Sequence, residues 1–174
     1  MNQATTILTC SDVAFYTAPA EVIARISIIP GALARTIFPL FSGDLRQSYA
    51  VAADAYKGLL LAISVIALPI FIAAEPLLGL WLGDSYRHGS AGVLRILIIG
   101  FFFNALAQIP FARIQAHGKA KLTATLHVVE LVPYLLILTV LVYYYGIYGA
   151  ATAWSVRVIA DCFALEYFSR KLGA

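Results

Sequence analysis

Among the charged residues inside the long apolar runs of this 174-residue sequence, six could do chemistry: Glu21, Arg25, Arg35, Glu130, Arg157 and Asp161. A charge near the centre of a bilayer costs roughly 2.5 to 3.5 kcal/mol on insertion scales, so such residues more often line a cavity or pathway than face lipid. A carboxylate such as Glu130, held away from bulk water, can take up or release a proton near neutral pH, and the imidazole of His127 can share that duty. Thr123, His127, Glu130 and Tyr134 follow i, i+4, i+7 and i+11 spacing and share one helix face. Trp154, Arg157 and Asp161 form a second stripe at i, i+3 and i+7. A structural reading stands beside the chemical one. Glu130 can pair with an arginine of another helix, and Arg157 with Asp161 is an i, i+4 pair able to neutralise itself. Asn104 and Gln108, one turn apart, suit either bonds between helices or contact with a ligand.

The elements that must position these groups are membrane helices. The chain is 61% hydrophobic and 12% charged, against roughly 25% charged residues in an average soluble domain. A span needs about 20 mostly apolar residues, and the runs predict five helices near 12–41, 58–82, 92–114, 122–143 and 147–169. The expected fold is an all-α integral membrane protein, with residues 1–174 forming one transmembrane helical unit. The first segment carries Pro19, Pro30 and Pro39, and a bend is expected near Pro30 and Gly31. Glu21, Arg25 and Arg35 fall broadly on one of its faces. The second segment has only Ser64 as a polar residue in its middle and reads as lipid-facing, with Trp81 and Tyr86 suited to an interfacial aromatic belt. The fifth opens with Gly149, Ala150, Ala151 and Ala153, small residues that permit close helix packing.

Several function classes drop out. The formal charge of +3 is not gathered into a basic patch with interleaved aromatics, so no nucleic-acid partner is expected. Zinc-protease, nucleophile-elbow and phosphate-loop patterns do not occur, and His88, His117 and His127 lie in different segments without metal-ligand spacing. The protein is expected not to be an enzyme and to hold no structural metal. Cys10 and Cys162 read as structural residues. Lysine and arginine concentrate in cytoplasmic loops. Arg46 and Lys57 around the first connection, Arg113, Lys119 and Lys121 around the third, and Arg170 and Lys171 at the end therefore place the odd connections and the C-terminus inside. The N-terminus is then outside, without a basic region to export it, so a preceding helix is expected; the alternative is a complete small protein inserting tail-out.

Four stretches, AFYTAPAEVIARISIIPGALARTIFPLFS, EPLLGLWLG, LRILIIGFFFNALAQIPFARIQAHGKAKLTA and GIYGAATAWSVRV, occur here in this order. Together they resemble the C-terminal part of bacterial O-antigen and polysaccharide flippases, the Wzx-like branch of the multidrug/oligosaccharidyl-lipid/polysaccharide superfamily. The likeness rests on the order and spacing of all four. It implies a MATE-like fold of about twelve helices in two pseudo-symmetric lobes around a central cavity. These five would be the last of them, completed by an N-terminal half of the same transporter.

The resemblance also implies the activity. An oligosaccharide linked to undecaprenyl pyrophosphate would be carried across the bacterial inner membrane by alternating access, in the making of O-antigen, lipopolysaccharide or another polysaccharide. On this reading Arg25, Arg35 and Arg157 are candidates for the pyrophosphate. Asn104, Gln108 and Tyr134 are candidates for sugar hydroxyls. His127, Glu130 and Asp161 are candidates for coupling to a proton or sodium ion, with no other cofactor. Membrane lipids are the remaining partner. Two alternatives stay open: a cation-coupled multidrug exporter of the same superfamily, and a non-transporting membrane scaffold or remnant whose charges are all helix-to-helix pairs.

Overall fold

The computed structural model describes residues 10–42 and 45–172, and no strand occurs among them. The elements are α1 (Cys10–Ile26), α2 (Ile28–Ile37), a 3-10 turn (Phe38–Ser42), α3 (Leu45–Ile72), α4 (Ala74–Leu82), α5 (Asp84–Gly89), α6 (Ala91–Ala116) and α7 (Ala120–Lys171). Four stretches are long and apolar enough to cross a membrane: Asp12–Ser42, Gln47–Ile72, Ala91–Ala116 and Ala120–Lys171. The expected all-helical membrane architecture is what the chain adopts. The readings of residues 1–9 fall outside the described residues, as do those of the side chains of Cys10, Ser11 and Arg46.

The fourth stretch holds two of the five expected passes. At about 1.5 Å per residue its 52 residues would reach about 78 Å if straight, far beyond a hydrocarbon core of about 30 Å. Gly146 interrupts it at φ 56° and ψ −130°, a conformation costly for any residue with a side chain. The chain reverses there, and the arms 120–145 and 147–171 run back along each other. Gly149 packs so closely on the returning backbone that a methyl group would strike the Leu141 carbonyl. Gly149, Ala151 and Ala153 are all buried, as the small-residue run predicts.

Helix α6 is the centre of the bundle. Leu94, Leu97, Phe101, Ala105 and Ile109 are buried along it, together with Leu59 and Ile63 of α3. The second arm of α7 crosses it closely: a Cβ on Gly100 would stand 2.6 Å from Ser155 Oγ and from the Trp154 ring, and Ser155 Oγ donates to the Ile96 carbonyl at 2.9 Å. Outward, α3 exposes Leu61, Val65 and Leu68, as a lipid-facing helix should. The first arm of α7 does the same with Val128, Val129, Val132 and Leu136.

Three boundaries differ from expectation. The bend expected at Pro30 and Gly31 sits at Ser27, between α1 and α2. A proline leaves the carbonyl four residues earlier without its donor and crowds it, so the ladder opens one turn before the ring. The same rule places the break at Ala73, three residues ahead of Pro76, so the span expected as one helix over 58–82 is α3 followed by α4. At its other end α3 begins at Leu45, which puts Lys57 inside the helix, paired with Asp54 at 3.4 Å, and not at a loop margin.

Candidate functional site

The hairpin of α7 presses the two predicted polar stripes together. His127 and Glu130 lie on the first arm, Arg157 and Asp161 on the second. Antiparallel packing sets His127 Nδ1 3.5 Å from Asp161 Oδ1 and Arg157 Nε 4.0 Å from Glu130 Oε2, while one turn along the first arm His127 Nδ1 lies 3.8 Å from Glu130 Oε2. Arg157 also lies over the Tyr134 ring, 5.2 Å from its centre, in cation–π contact. The self-neutralising pair of Arg157 and Asp161 is replaced by one across the hairpin. Arg157 faces Glu130, and Asp161 faces the imidazole.

These four groups are close, yet His127 Nδ1, Glu130 Oε2, Arg157 Nε and Asp161 Oδ1 are all shielded from solvent without a hydrogen-bond partner. Buried polar atoms are nearly always bonded, and exceptions concentrate where a ligand, ion or proton is handled. Ligand atoms of His127, Glu130 and Asp161 lie within 4.8 Å of one another, a spacing at which one cation could touch all three. The charge balance is two carboxylates against one arginine, with the imidazole able to add a second positive charge.

Beside this cluster opens a cavity of about 360 Å³ between α6 and the second arm of α7. Asn104 and Gln108 contribute amides from α6. His127, Arg157 and Asp161 contribute the charged rim, and Trp154 a flat ring. Among the described residues neither amide has a side-chain partner, so both are free to bond a ligand. Glu130 and Tyr134 border a smaller recess that shares Arg157 with it.

Seven of the nine residues singled out from the sequence therefore converge: Asn104, Gln108, His127, Glu130, Tyr134, Arg157 and Asp161. Arg35 lines a neighbouring cavity of about 260 Å³ that shares Gln108 and Phe111 with the first, and its Nε donates to the Gly31 carbonyl at 3.2 Å. Arg25 is not brought to either. Its side chain is 77% exposed and paired with Glu21 of the preceding turn at 3.6 Å.

The chain as a whole is similar to a curated protein. A Shigella flexneri protein named "Putative O-antigen transporter" is 45% identical over 170 residues, covering 95% of this chain and 40% of that protein. The likeness agrees with the resemblance carried by the four sequence stretches. The chain spans about two-fifths of that relative's length. No family model and no solved structure matches the chain.

Two features escaped the sequence. Trp154 stood in the stripe with Arg157 and Asp161, so its place on the cavity wall was legible. Phe111 carried no signal beyond apolarity, although its ring lies 5.9 Å from the His127 ring. Arg113, expected at a cytoplasmic loop margin, is buried at 2% exposure. The signal was its setting: in PFARIQAHG it lies between apolar neighbours, more than a turn before the glycine that ends the helix. Gly118, at φ 75°, makes that turn.

Proposed function

We propose that this chain is part of a flippase that carries an oligosaccharide linked to undecaprenyl pyrophosphate from the cytoplasmic to the outer leaflet of the bacterial inner membrane. The observation that carries the reading is the cavity in which unpartnered amides, an indole ring and an arginine stand together beside a mixed-charge cluster. Asn104 and Gln108 bond sugar hydroxyls, and Trp154 offers an apolar face to a pyranose ring. Arg157 meets a phosphate oxygen, for which its planar fork is suited. Arg35, across Gln108, extends the cationic path. The remaining walls belong to further helices of a transporter as long as the Shigella flexneri relative.

The coupling ion is a proton. Imidazole is a poor ligand for hard cations, which prefer all-oxygen sites, and Arg157 already supplies a fixed positive charge 4.0 Å from Glu130. A proton on Glu130 removes the counter-charge of Arg157 and frees it for the anionic lipid. When the lipid leaves, Glu130 returns its proton and pairs again with Arg157. His127, between Glu130 and Asp161, offers the intervening relay.

Packing together with the charge bias of the ends supports an orientation. Tyr49 near the start of α3 donates through its hydroxyl to the Arg170 carbonyl at 2.6 Å, and Arg113 bonds Ser169. The start of α3, the turn at Gly118 and the end of α7 thus meet at one end of the bundle, with Lys119, Lys121, Arg170 and Lys171. That cation-rich end is the cytoplasmic one. The test is deletion of the whole native gene in the source bacterium, followed by the leaflet distribution of undecaprenyl-linked glycan. Accumulation on the cytoplasmic face, reversed by the intact gene, is the expected result. An unchanged distribution would overturn the reading.

A further inference from the structure

At the cation-rich end a second site stands apart from the translocation cavity and shares no lining residue with it. It is a cavity of about 520 Å³ bordered by Tyr49, Tyr56, Arg113, Glu166, Ser169 and Arg170. Arg113 is its centre. Its Nε donates to Ser48 Oγ at 3.0 Å, and its Nη1 to the Ser169 carbonyl and Ser169 Oγ, both at 3.1 Å. The guanidinium carbon lies over the Tyr49 ring, 3.5 Å from its centre. Every one of these partners is neutral. The two hydrogens on Nη2 have no partner, although the atom is shielded from solvent.

A buried cation held only by neutral groups is costly unless a counter-charge completes it. Glu166 is the carboxylate bordering the cavity, and it is occupied elsewhere. Its Oε1 accepts from Arg170 Nε at 2.7 Å and its Oε2 from the Tyr56 hydroxyl at 2.6 Å. With Arg113 and Arg170 against Glu166, the cavity keeps one uncompensated positive charge. Three bonds and the ring beneath it hold the guanidinium rigidly, so its unpartnered edge is preorganised for an oxyanion.

We propose that this cavity binds the phosphoryl headgroup of an anionic membrane lipid, with Nη2 of Arg113 completing its bonds on a phosphate oxygen. On the orientation proposed above, the location suits it, because this end faces the cytoplasmic leaflet, whose anionic headgroups attract basic residues. Two sources share the chemistry: the diphosphate of a lipid carrier, held here before it enters the translocation cavity, and the single phosphate of a resident phospholipid such as phosphatidylglycerol.

The experiment uses the full-length gene product that contains this chain, purified in detergent, with inorganic pyrophosphate as the probe and binding read by calorimetry. Wild-type protein is expected to bind, and Arg113→Gln to bind at least about tenfold more weakly, the loss of one charge-assisted contact. Circular dichroism checks that the variant keeps its helices. Equal binding by the folded variant, or none by wild type, overturns the proposal. Should Arg113→Gln fail to fold, Glu166→Gln serves instead. It leaves the cavity more positive, so pyrophosphate should bind several-fold more tightly, and unchanged or weaker binding overturns the proposal.

Nanodiscs of phosphatidylethanolamine, alone or mixed with phosphatidylglycerol, separate the sources. Competition by phosphatidylglycerol identifies a resident phospholipid, and pyrophosphate binding indifferent to it identifies a diphosphate carrier. The readout is binding and not translocation, so it fails or succeeds independently of the flippase reading.

Discussion

The arginines of α1 and of the α7 hairpin began with equal standing, since each lies in an apolar run with a carboxylate four residues away. The fold separates them. Arg25 stays on its own helix face with Glu21, mostly exposed, whereas Arg157 ignores Asp161 and meets Glu130 and Tyr134 across a tight turn. Spacing along one helix describes which residues share a face. What that face meets depends on the turn, and here the turn is Gly146 followed by the buried glycine and alanines that let two arms close.

The comparison is most easily broken at the hairpin. Gly149→Ala drives a methyl into the Leu141 carbonyl, and relief needs the arms to part. We expect a loss of about 3 kcal/mol, at the upper end for overpacking. Gly31→Ala, in the region of Arg25, meets only the tip of the Arg35 side chain at 3.8 Å and should shift stability by less than about 0.5 kcal/mol. Thermal unfolding of both variants, followed by tryptophan fluorescence, checks the contrast.

Charge swaps sharpen it next. Glu130→Arg alone sets two cations together and should lower folded yield severalfold. Combining it with Arg157→Glu restores the pair and the yield, because opposite charges face each other again. Transport should stay lost in the double variant, since the carboxylate and the fork have changed places beside Asp161 and the amides. Recovery of both yield and transport would make the pair purely structural, and size-exclusion profiles with a glycan export assay separate the outcomes. A smaller effect is expected from Ser155→Ala, which removes the bond to the Ile96 carbonyl and should cost about 1 kcal/mol. Chemical unfolding in detergent measures it.

Much of this was written in the sequence. Apolar length marked the passes, and helical periodicity picked the stripes carrying His127, Glu130 and Tyr134 and then Trp154, Arg157 and Asp161. The bend before Pro30 was legible but displaced by a turn, because the lost bond belongs to the carbonyl before the ring, and the break at Ala73 ahead of Pro76 was not foreseen. Arg113 does lie in the last turn of α6, before Gly118, but its burial was missed because an arginine near a helix end resembles a loop cation. Only packing shows that α3 and the end of α7 close over it. That Glu130 could pair with an arginine of another helix was legible, but which arginine was not, because a sequence carries the period of one helix and not the rotation of its neighbour.

The most direct measurement is the leaflet distribution of undecaprenyl-linked glycan in a deletion strain complemented with the intact gene carrying either Arg157→Gln or Arg25→Gln, at matched expression. The cavity reading predicts that Arg157→Gln leaves glycan on the cytoplasmic face, with export reduced at least about tenfold, as loss of a charge-assisted contact implies. Arg25→Gln should export within about twofold of wild type, as an exposed pair allows. Normal export by Arg157→Gln, or failure confined to Arg25→Gln, would contradict the placement of the transport site between α6 and the α7 hairpin.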